Sequence, residues 1–265
     1  MEELQKMDID PNKFVVMAND LVKGKSALSL NSAKLIRLSI MQCEFRDNEL
    51  KPYQISIKDF AAFLGIRTEK GLYRDIQDIC IQLLKEIVLI GDGNPKHKWK
   101  AFQWVSQCDY DNGIISIRLH DDLKPYLLNL KGCYTQYEIE NILTFKSVHA
   151  LRIYELIKME LRNVQIYGEK EIDVYLSVDM IKKATNTEKK YKKMGDFNKN
   201  VIEIAVKEIN EKPYNIRVSY KYRKEGRKIV GYDFHIKSWG NGMVLSDHQK
   251  QVLEAIIEKK ERHHG

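Results

Sequence analysis

Hydrophobic and polar positions alternate most regularly between residues 177 and 237, where the pattern changes from helical to strand-like. Over Phe197–Asn210 apolar side chains recur at helical spacing, which predicts a helix with one core-facing side. Over Tyr214–Arg223 and Ile229–Lys237 apolar and polar residues alternate at period two, which is typical of a half-buried hairpin. A shorter helical stretch begins at Ser177, so the order helix, helix, hairpin predicts a winged-helix unit.

The predicted 197–210 helix has two different sides. The side expected to face the core carries Phe197, Val201, Ile204, Ala205, Glu208 and Ile209. The other side mixes hydrogen-bond donors and acceptors, which is what reading base edges in a DNA major groove requires. The residues on or near that side are Lys192, Asp196, Lys199, Glu203, Lys207 and Asn210.

The first half of the chain repeats this order of predicted elements. Apolar spacing predicts helices over Ser29–Cys43 and Glu69–Lys85, with a short strand and a helix between them that start near Ile55. Two strand-like runs, Lys100–Tyr110 and Ile114–Leu119, flank Asp-Asn-Gly, which is a strong hairpin signal. The local sequence is also similar, because a helix that begins at serine and is followed by Thr-Glu-Lys occurs in both halves.

These patterns predict an α+β fold of two tandem winged-helix domains related by internal duplication. The similarity between the halves is weak, so two unrelated units stay as an alternative. We expect an N-terminal domain over 14–131, a C-terminal domain over 143–239 and a helical tail over 240–265. Residues 131–142 are expected to connect the domains, and a long helix over 146–163 is expected to be a scaffold. The charged residues of that helix are Arg152, Glu155, Lys158 and Glu160.

The distribution of charge indicates what such a protein would bind. The whole chain has a formal net charge of +7 and a pI near 9.0. Residues Ser177–Lys237 alone hold 13 lysines and 3 arginines against 5 glutamates and 3 aspartates, a net charge of +8. The excess positive charge is therefore concentrated in the C-terminal unit, and this favours nucleic acid as the partner over a merely solvated lysine-rich surface.

Three groups of residues are expected to contact double-stranded DNA. The first group lies on or just before the predicted 197–210 helix, which we call the recognition helix. Lys199 and Asn200 would donate to base edges, and Glu203 or Asp196 would accept from cytosine. Lys207 lies on the same side. The residues expected to hold phosphates are Lys190, Lys192, Lys193, Arg223, Lys224, Arg227 and Lys228. A second, weaker half-site is expected to contact the helix predicted over Glu69–Lys85 in the first half of the chain. Its residues are Lys70, Arg74 and Lys85.

Several enzyme classes find little support in the sequence. Gly24-Lys25-Ser26 resembles the end of a phosphate loop, but the position of its first glycine is Asn19. A DNA-nicking site needs a histidine pair around an apolar residue beside a nucleophilic tyrosine, whereas the internal histidines occur singly and the pair His263-His264 is terminal. We therefore expect no catalytic residues, no metal and no cofactor.

The cellular setting follows from cysteine usage and hydropathy. The four cysteines are widely spaced and form no CxxC motif. This spacing favours a reduced, cytoplasmic setting and argues against a structural zinc site. No apolar run approaches the length of a membrane span, and the first residues do not have the pattern of a signal peptide. We expect no membrane partner.

Two motifs resemble a known family. The segment Leu127–Tyr137 reads LLNLKGCYTQY and Ser147–Leu156 reads SVHALRIYEL, and together they are similar to the signature of theta-type plasmid replication initiators. Asn19–Leu21 and Ala205–Asn210 add to the resemblance, which covers roughly residues 14–238. Only Cys133-Tyr134 departs from the expected apolar or Phe-containing pair.

The resemblance implies tandem winged-helix domains that bind direct repeats (iterons) at a bacterial plasmid origin. It further implies that the protein helps open the duplex, recruits the host initiator and helicase, and switches between a monomer and a dimer made by the N-terminal unit. The dimer would repress the protein's own gene. A winged-helix transcription regulator with no replication role is the alternative, because both uses need the same binding surface.

Overall fold

The computed structural model describes residues 14–44, 47–64, 69–92, 94–161, 170–211 and 216–238. The predicted tail over 240–265 lies outside these residues. Within helices, the side chains of residues 62–64 and 69–73 are also outside the described part, and this includes the side chain of Lys70.

The first half of the chain contains short strands around three principal helices. Its first elements are β1 (Phe14–Ala18), α1 (Asn19–Lys23), β2 (Lys25–Ser26), α2 (Leu30–Met41), β3 (Pro52–Ser56), α3 (Ile57–Leu64) and α4 (Glu69–Leu83). They are followed by β4 (Ile87–Ile90), β5 (Lys100–Gln103), β6 (Val105–Asp111), β7 (Ile114–Leu119), a 3₁₀ turn (Asp121–Leu123), α5 (Lys124–Leu127), β8 (Tyr134–Glu138) and α6 (Glu140–Leu143). Serines cap two of these helices: Ser29 accepts from the backbone of Ser32, and Ser56 accepts from that of Asp59.

The second half has fewer elements in a similar order. They are α7 (Val148–Leu161), β9 (Lys170–Ser177), α8 (Val178–Ala184), α9 (Met194–Phe197), α10 (Glu203–Asn210), β10 (Ile216–Glu225) and β11 (Lys228–Ser238). Ser177 caps α8 by accepting from the backbone of Met180 at 3.1 Å.

The two halves share one sheet topology. In the first half the strand before the helix pair, β3, pairs with β7, which pairs with β6. In the second half β9 occupies the same place beside β11, which pairs with β10. All four pairings are antiparallel. This common order confirms the prediction of two tandem winged-helix units, whereas the predicted domain bounds stay a prediction.

One prediction about strands was incomplete in the first half. The run predicted as one strand over 100–110 splits at Trp104, because β5 pairs with β4 and β6 pairs with β7 in a different sheet. The side chain of Trp104 is buried at this corner and donates to Ser26. The predicted hairpin turn is confirmed: Asn112 and Gly113 both have positive φ, as a type I′ turn requires.

Two further strands were not predicted from the sequence. The supposed connector over 131–142 contains β8, which pairs with β1 along its whole length and returns the chain to the N-terminus. Strand β9 supplies the third strand of the C-terminal sheet. Both pairings join residues far apart in sequence, so a local periodicity alone did not reveal them.

The helix predicted over 197–210 begins earlier, at Met194, and is interrupted by one wide π-type turn over Asn198–Ile202. That turn rotates the residues after it, so Ile202 is buried in place of the predicted Ile204, which is exposed. The other predicted core residues of this helix are buried, apart from Glu208, which is partly exposed. Wide turns of this kind occur often at functional sites.

Helices α2 and α7 form the centre of the molecule. Ten consecutive residues of α2 are buried, and α7 is buried from Ala150 to Met159. The charged residues Arg152, Glu155 and Lys158 of α7 are therefore inside the protein and not on an outer face. In the part of the chain that the structure describes, no helix is long and apolar enough to cross a membrane.

Candidate nucleic-acid interface

The recognition helix of the C-terminal unit presents the side chains predicted for base contacts. Asp196, Lys199, Glu203 and Lys207 are exposed. Asn200 is half-buried and donates to the backbone oxygen of Asp196 at 2.8 Å. The first four side chains are thus open to a partner, whereas Asn200 already uses one of its two amide N–H groups in this local hydrogen bond.

The recognition helix and the wing, which is the hairpin of β10 and β11, are joined through Asn198. Its Nδ2 donates to Glu203 Oε1 at 2.7 Å and to the hydroxyl of Tyr220 on β10 at 3.0 Å. Asn198 is buried at the wide turn, so this amide holds the Glu203 carboxylate in a defined place beside the hairpin. The sequence pattern gave no indication of this role for Asn198, because an isolated polar residue in a helix gives no signal of its contacts.

Two more hydrogen-bond sets fix the C-terminal end of the recognition helix. Asn210 donates to the backbone oxygen of Val218 and accepts from its backbone nitrogen, both at 2.8 Å. Glu208 accepts from the backbone nitrogens of Lys146 and Ser147, just before α7. These side chains therefore position the helix, and Asn210 is not free to contact bases as the sequence pattern implied.

The wing carries its basic residues at the tip. Lys224, Arg227 and Lys228 are all exposed, and β10 and β11 are linked by a two-residue loop. Gly226 has φ +58, a conformation that glycine adopts at little cost. Nothing in the described part lies within 4 Å of a Cβ built on Gly226, so the tip is open on that side.

Arg223 differs from the other basic residues of the wing. Its guanidinium donates to both carboxylate oxygens of Asp233 and lies 4.3 Å from the centre of the Tyr175 ring. The Tyr175 ring in turn lies across Gly231, where a Cβ would come within 2.3 Å of it. The pairing with Asp233 raises the pKa of Arg223 and neutralises much of its field, so Arg223 offers less to a phosphate than the tip does.

The loop before the recognition helix is compact despite its charge. Lys190, Lys192 and Lys193 are exposed. The hydroxyls of Thr185 and Thr187 are buried and hydrogen-bonded to each other at 2.8 Å. The three lysines are thus held on an ordered turn and not on a free chain.

Helix α4 of the first half has a weaker electrostatic character. Arg74 on α4 and Lys85, just after the end of α4, are exposed as predicted, but Asp75 and Asp78 are exposed on the same helix as Arg74. The two carboxylates offset the two cations, so this surface attracts phosphate less than the C-terminal unit does.

A buried ionic network joins α2, β8 and α7. Glu155 of α7 accepts from both Arg37 of α2, at 2.9 and 3.1 Å, and Arg152, and it also accepts from Tyr137 at 2.6 Å. Burial alone raises the pKa of Glu155, but the two guanidinium groups outweigh burial and hold that pKa below its usual value. Arg152 also donates to the backbone oxygens of Val22, Gly24 and Ala184.

The fold defines a protein with two winged-helix units in tandem, of which the C-terminal one is strongly basic. A family model described as "Initiator Replication protein, WH1" matches residues 14–158, and one described as "Initiator Rep protein, WH2" matches residues 177–236. The chain belongs to this family of plasmid replication initiator proteins, as the sequence motifs implied.

Individual relatives are distant. A replication initiation protein of Escherichia coli is 22% identical over 200 residues, which are 75% of this chain and 60% of that protein. The PI protein of Escherichia coli is 23% identical over 261 residues, with coverage of 86% of this chain and 84% of that protein. A crystal structure of the Pi initiator protein in complex with iteron DNA has a TM-score of 0.69 at 20% identity, covering 87% of this chain and 99% of that one.

Proposed function

We propose that this protein initiates plasmid replication by binding repeated double-stranded sites, or iterons, at the origin. The observation that carries the proposal is the C-terminal unit, in which a recognition helix and a basic wing are joined through Asn198. A structural relative, the Pi initiator, was crystallised in complex with iteron DNA, and this supports the same class of ligand. The N-terminal unit would add a second, weaker contact through Arg74 and Lys85, with Lys70 on the same helix.

The exposed residues divide into two roles. Lys199 is proposed to donate to a base edge, while Glu203, held by Asn198, accepts from a cytosine amino group; Asp196 is a second acceptor and Asn200 a second donor. Phosphate contacts position the protein without reading sequence. The residues proposed for phosphates are Lys190, Lys192, Lys193, Lys207, Lys224, Arg227 and Lys228, with a smaller contribution from Arg223.

Other properties of the family complete the proposal. The protein would act in the bacterial cytoplasm without a catalytic step, help open the duplex, and recruit the host initiator and helicase. It would also exist as a monomer and a dimer, and the dimer, made by the N-terminal unit, would repress its own gene.

A footprint on the DNA that flanks the protein's own gene tests the binding proposal. We expect protection of several direct repeats spaced by about two helical turns, because each bound monomer occupies the same face of the duplex. Protection of a single inverted repeat at a promoter would instead indicate a transcription regulator. No protection at low salt would reject both.

A further inference from the structure

A small pocket lies between the two winged-helix units and shares Lys190 with the proposed DNA-binding surface. Its volume is about 130 Å³. The first unit contributes Ser26 and Arg37, and α7 contributes His149 and Arg152 at its N-terminal end. The turn after α8 completes the lining with Asn186 and Lys190.

The charges around this pocket do not balance. Arg37 and Arg152 share one carboxylate, Glu155, which leaves a surplus positive charge in a buried place. Arg37 is 1% exposed, and its Nη1 is buried with no hydrogen-bond partner among the described residues. A buried guanidinium N–H without a hydrogen bond is costly, so the site favours a bound acceptor that carries negative charge.

A neighbouring imidazole, which is neutral at pH 7 because its pKa is lowered, offers one more buried nitrogen to a ligand. His149 Nδ1 is also buried and without a partner in the described part of the chain. Burial lowers the pKa of His149, and the charge of Lys190 lowers it further.

The nearby carboxylates are already engaged. Glu155 accepts from two arginines and Tyr137, as described above. Glu188, close to Lys190 in sequence, is paired with Lys25 at 2.8 Å. Neither is free to neutralise Arg37 Nη1.

We propose that this pocket binds a phosphate group and thereby holds the two winged-helix units together. The volume admits about four water molecules, each taking about 30 Å³, which suits one phosphate and is below the range of pockets that enclose whole nucleotides. Guanidinium, hydroxyl, amide and ammonium donors, all present here, are the groups that bind phosphate oxygens.

The phosphate could be free inorganic phosphate or one phosphate of the DNA backbone. Lys190 is exposed and belongs to the turn before the recognition helix, so a duplex on that helix would pass near the mouth of the pocket. In either case the ligand contacts residues of both units at once, and its binding stabilises their relative orientation.

The test measures thermal unfolding of the full chain in sodium phosphate and in sodium chloride at the same ionic strength and pH. We expect phosphate at five times its Kd to raise Tm by about 2–4 °C, because a ligand that binds only the folded state stabilises it. Lys190→Gln should lose at least half of this rise. Lys189→Gln, an exposed neighbour outside the pocket, should keep all of it.

An equal Tm for the unchanged chain in the two salts would overturn the proposal, and so would a full phosphate response in Lys190→Gln. His149→Gln gives a second variant that should weaken the response. The thermal-unfolding test contains no DNA. Phosphate binding can therefore fail while the proposed DNA binding stands, and DNA binding can fail while phosphate binding stands.

A second arm identifies the source of the phosphate. Inorganic phosphate is titrated, by ³¹P line broadening, into the protein alone and into the protein saturated with a 22-base-pair duplex, a length of about two helical turns. If a backbone phosphate fills the pocket, the duplex abolishes the broadening; if free phosphate is the ligand, the broadening persists. Each result supports phosphate recognition, whereas absence of broadening from the protein alone contradicts it.

Discussion

Glu155 is the residue on which most of the buried charge in this protein depends. It accepts hydrogen bonds from Arg37 and Arg152, and both guanidinium groups are buried with it. Such an arrangement is not strongly stabilising in itself, because desolvation offsets most of the attraction. Its removal is costly, however, because the two arginines would then have no counter-ion.

We expect Glu155→Gln to lower the free energy of unfolding by about 3–5 kcal/mol, the usual cost of leaving buried charges unpaired. Urea denaturation at pH 7 measures the change. Glu160→Gln, at an exposed position of the same helix, is the matched control and should change stability by less than about 0.5 kcal/mol. Similar effects of the two substitutions would contradict the role given to Glu155.

Lys158 predicts a dependence of stability on pH. Burial lowers the pKa of Lys158 to about 8, and Glu138 only partly offsets this. The unfolded chain, in which the pKa is near 10.5, therefore binds more protons between pH 8 and pH 10.5, and the free energy of unfolding contributed by Lys158 rises across that window.

The substitution Lys158→Met removes this contribution. From pH 7.5 to pH 10 we expect the stability of the unchanged chain to rise by about 2 kcal/mol relative to Lys158→Met. Lys207→Met, at an exposed position, should follow the unchanged chain. Parallel pH profiles for the unchanged chain and Lys158→Met would show that the pKa of Lys158 is not lowered in the folded protein.

At the scale of elements, the recognition helix and the wing are expected to perform different tasks. The wide turn over Asn198–Ile202 places Asn198 where it contacts both Glu203 and Tyr220. Base reading is therefore expected from the helix, which is fixed by these contacts. The wing tip is expected to supply sequence-independent attraction, because its open turn carries only charged side chains around Gly226.

Two substitutions separate these tasks. Lys199→Ala should cost about 1–3 kcal/mol on the repeats found by footprinting and much less on scrambled DNA. Arg227→Ala should weaken both DNAs alike and reduce the slope of log K against log salt by about 0.9. Fluorescence anisotropy at several salt concentrations measures both effects. Equal losses on the two DNAs for Lys199→Ala would refute its assignment to a base.

The sequence predicted most elements of both units, because apolar spacing reports which side of a helix or strand faces a core. It did not predict β8 or β9, whose partners are remote in the chain. Within the candidate site it identified the exposed lysines but not Asn198, and it did not reveal that Asp233 pairs with Arg223. Side-chain pairs between different elements depend on tertiary packing, which periodicity does not encode.

At the scale of the whole molecule, the two winged-helix units share a buried boundary. Arg152 of α7 donates to Val22 and Gly24 in the first half and to Ala184 in the second. Lys34 of α2 also donates to the backbone of Leu143, near the start of α7. Opening the boundary would break these hydrogen bonds together, so the units are expected to unfold together.

A comparison of two probes tests this cooperativity. In a Trp239→Phe variant, tryptophan fluorescence comes only from Trp99 and Trp104 in the first half, whereas far-ultraviolet circular dichroism reports both halves. We expect the two urea transitions to coincide, as they do in two-state unfolding. Two separate midpoints would show that the units unfold independently.

The sequence by itself determined the α+β class, the two helix-and-hairpin units and the basic character of the second one. Those features depend on the order and spacing of residue types, which local backbone geometry converts directly into helices and strands. Only the tertiary structure decided that α7 buries Arg152, Glu155 and Lys158, that β8 returns to β1, and that a cationic pocket forms between the units. The reason is that burial and pairing depend on which surfaces meet, and these surfaces come from segments more than a hundred residues apart.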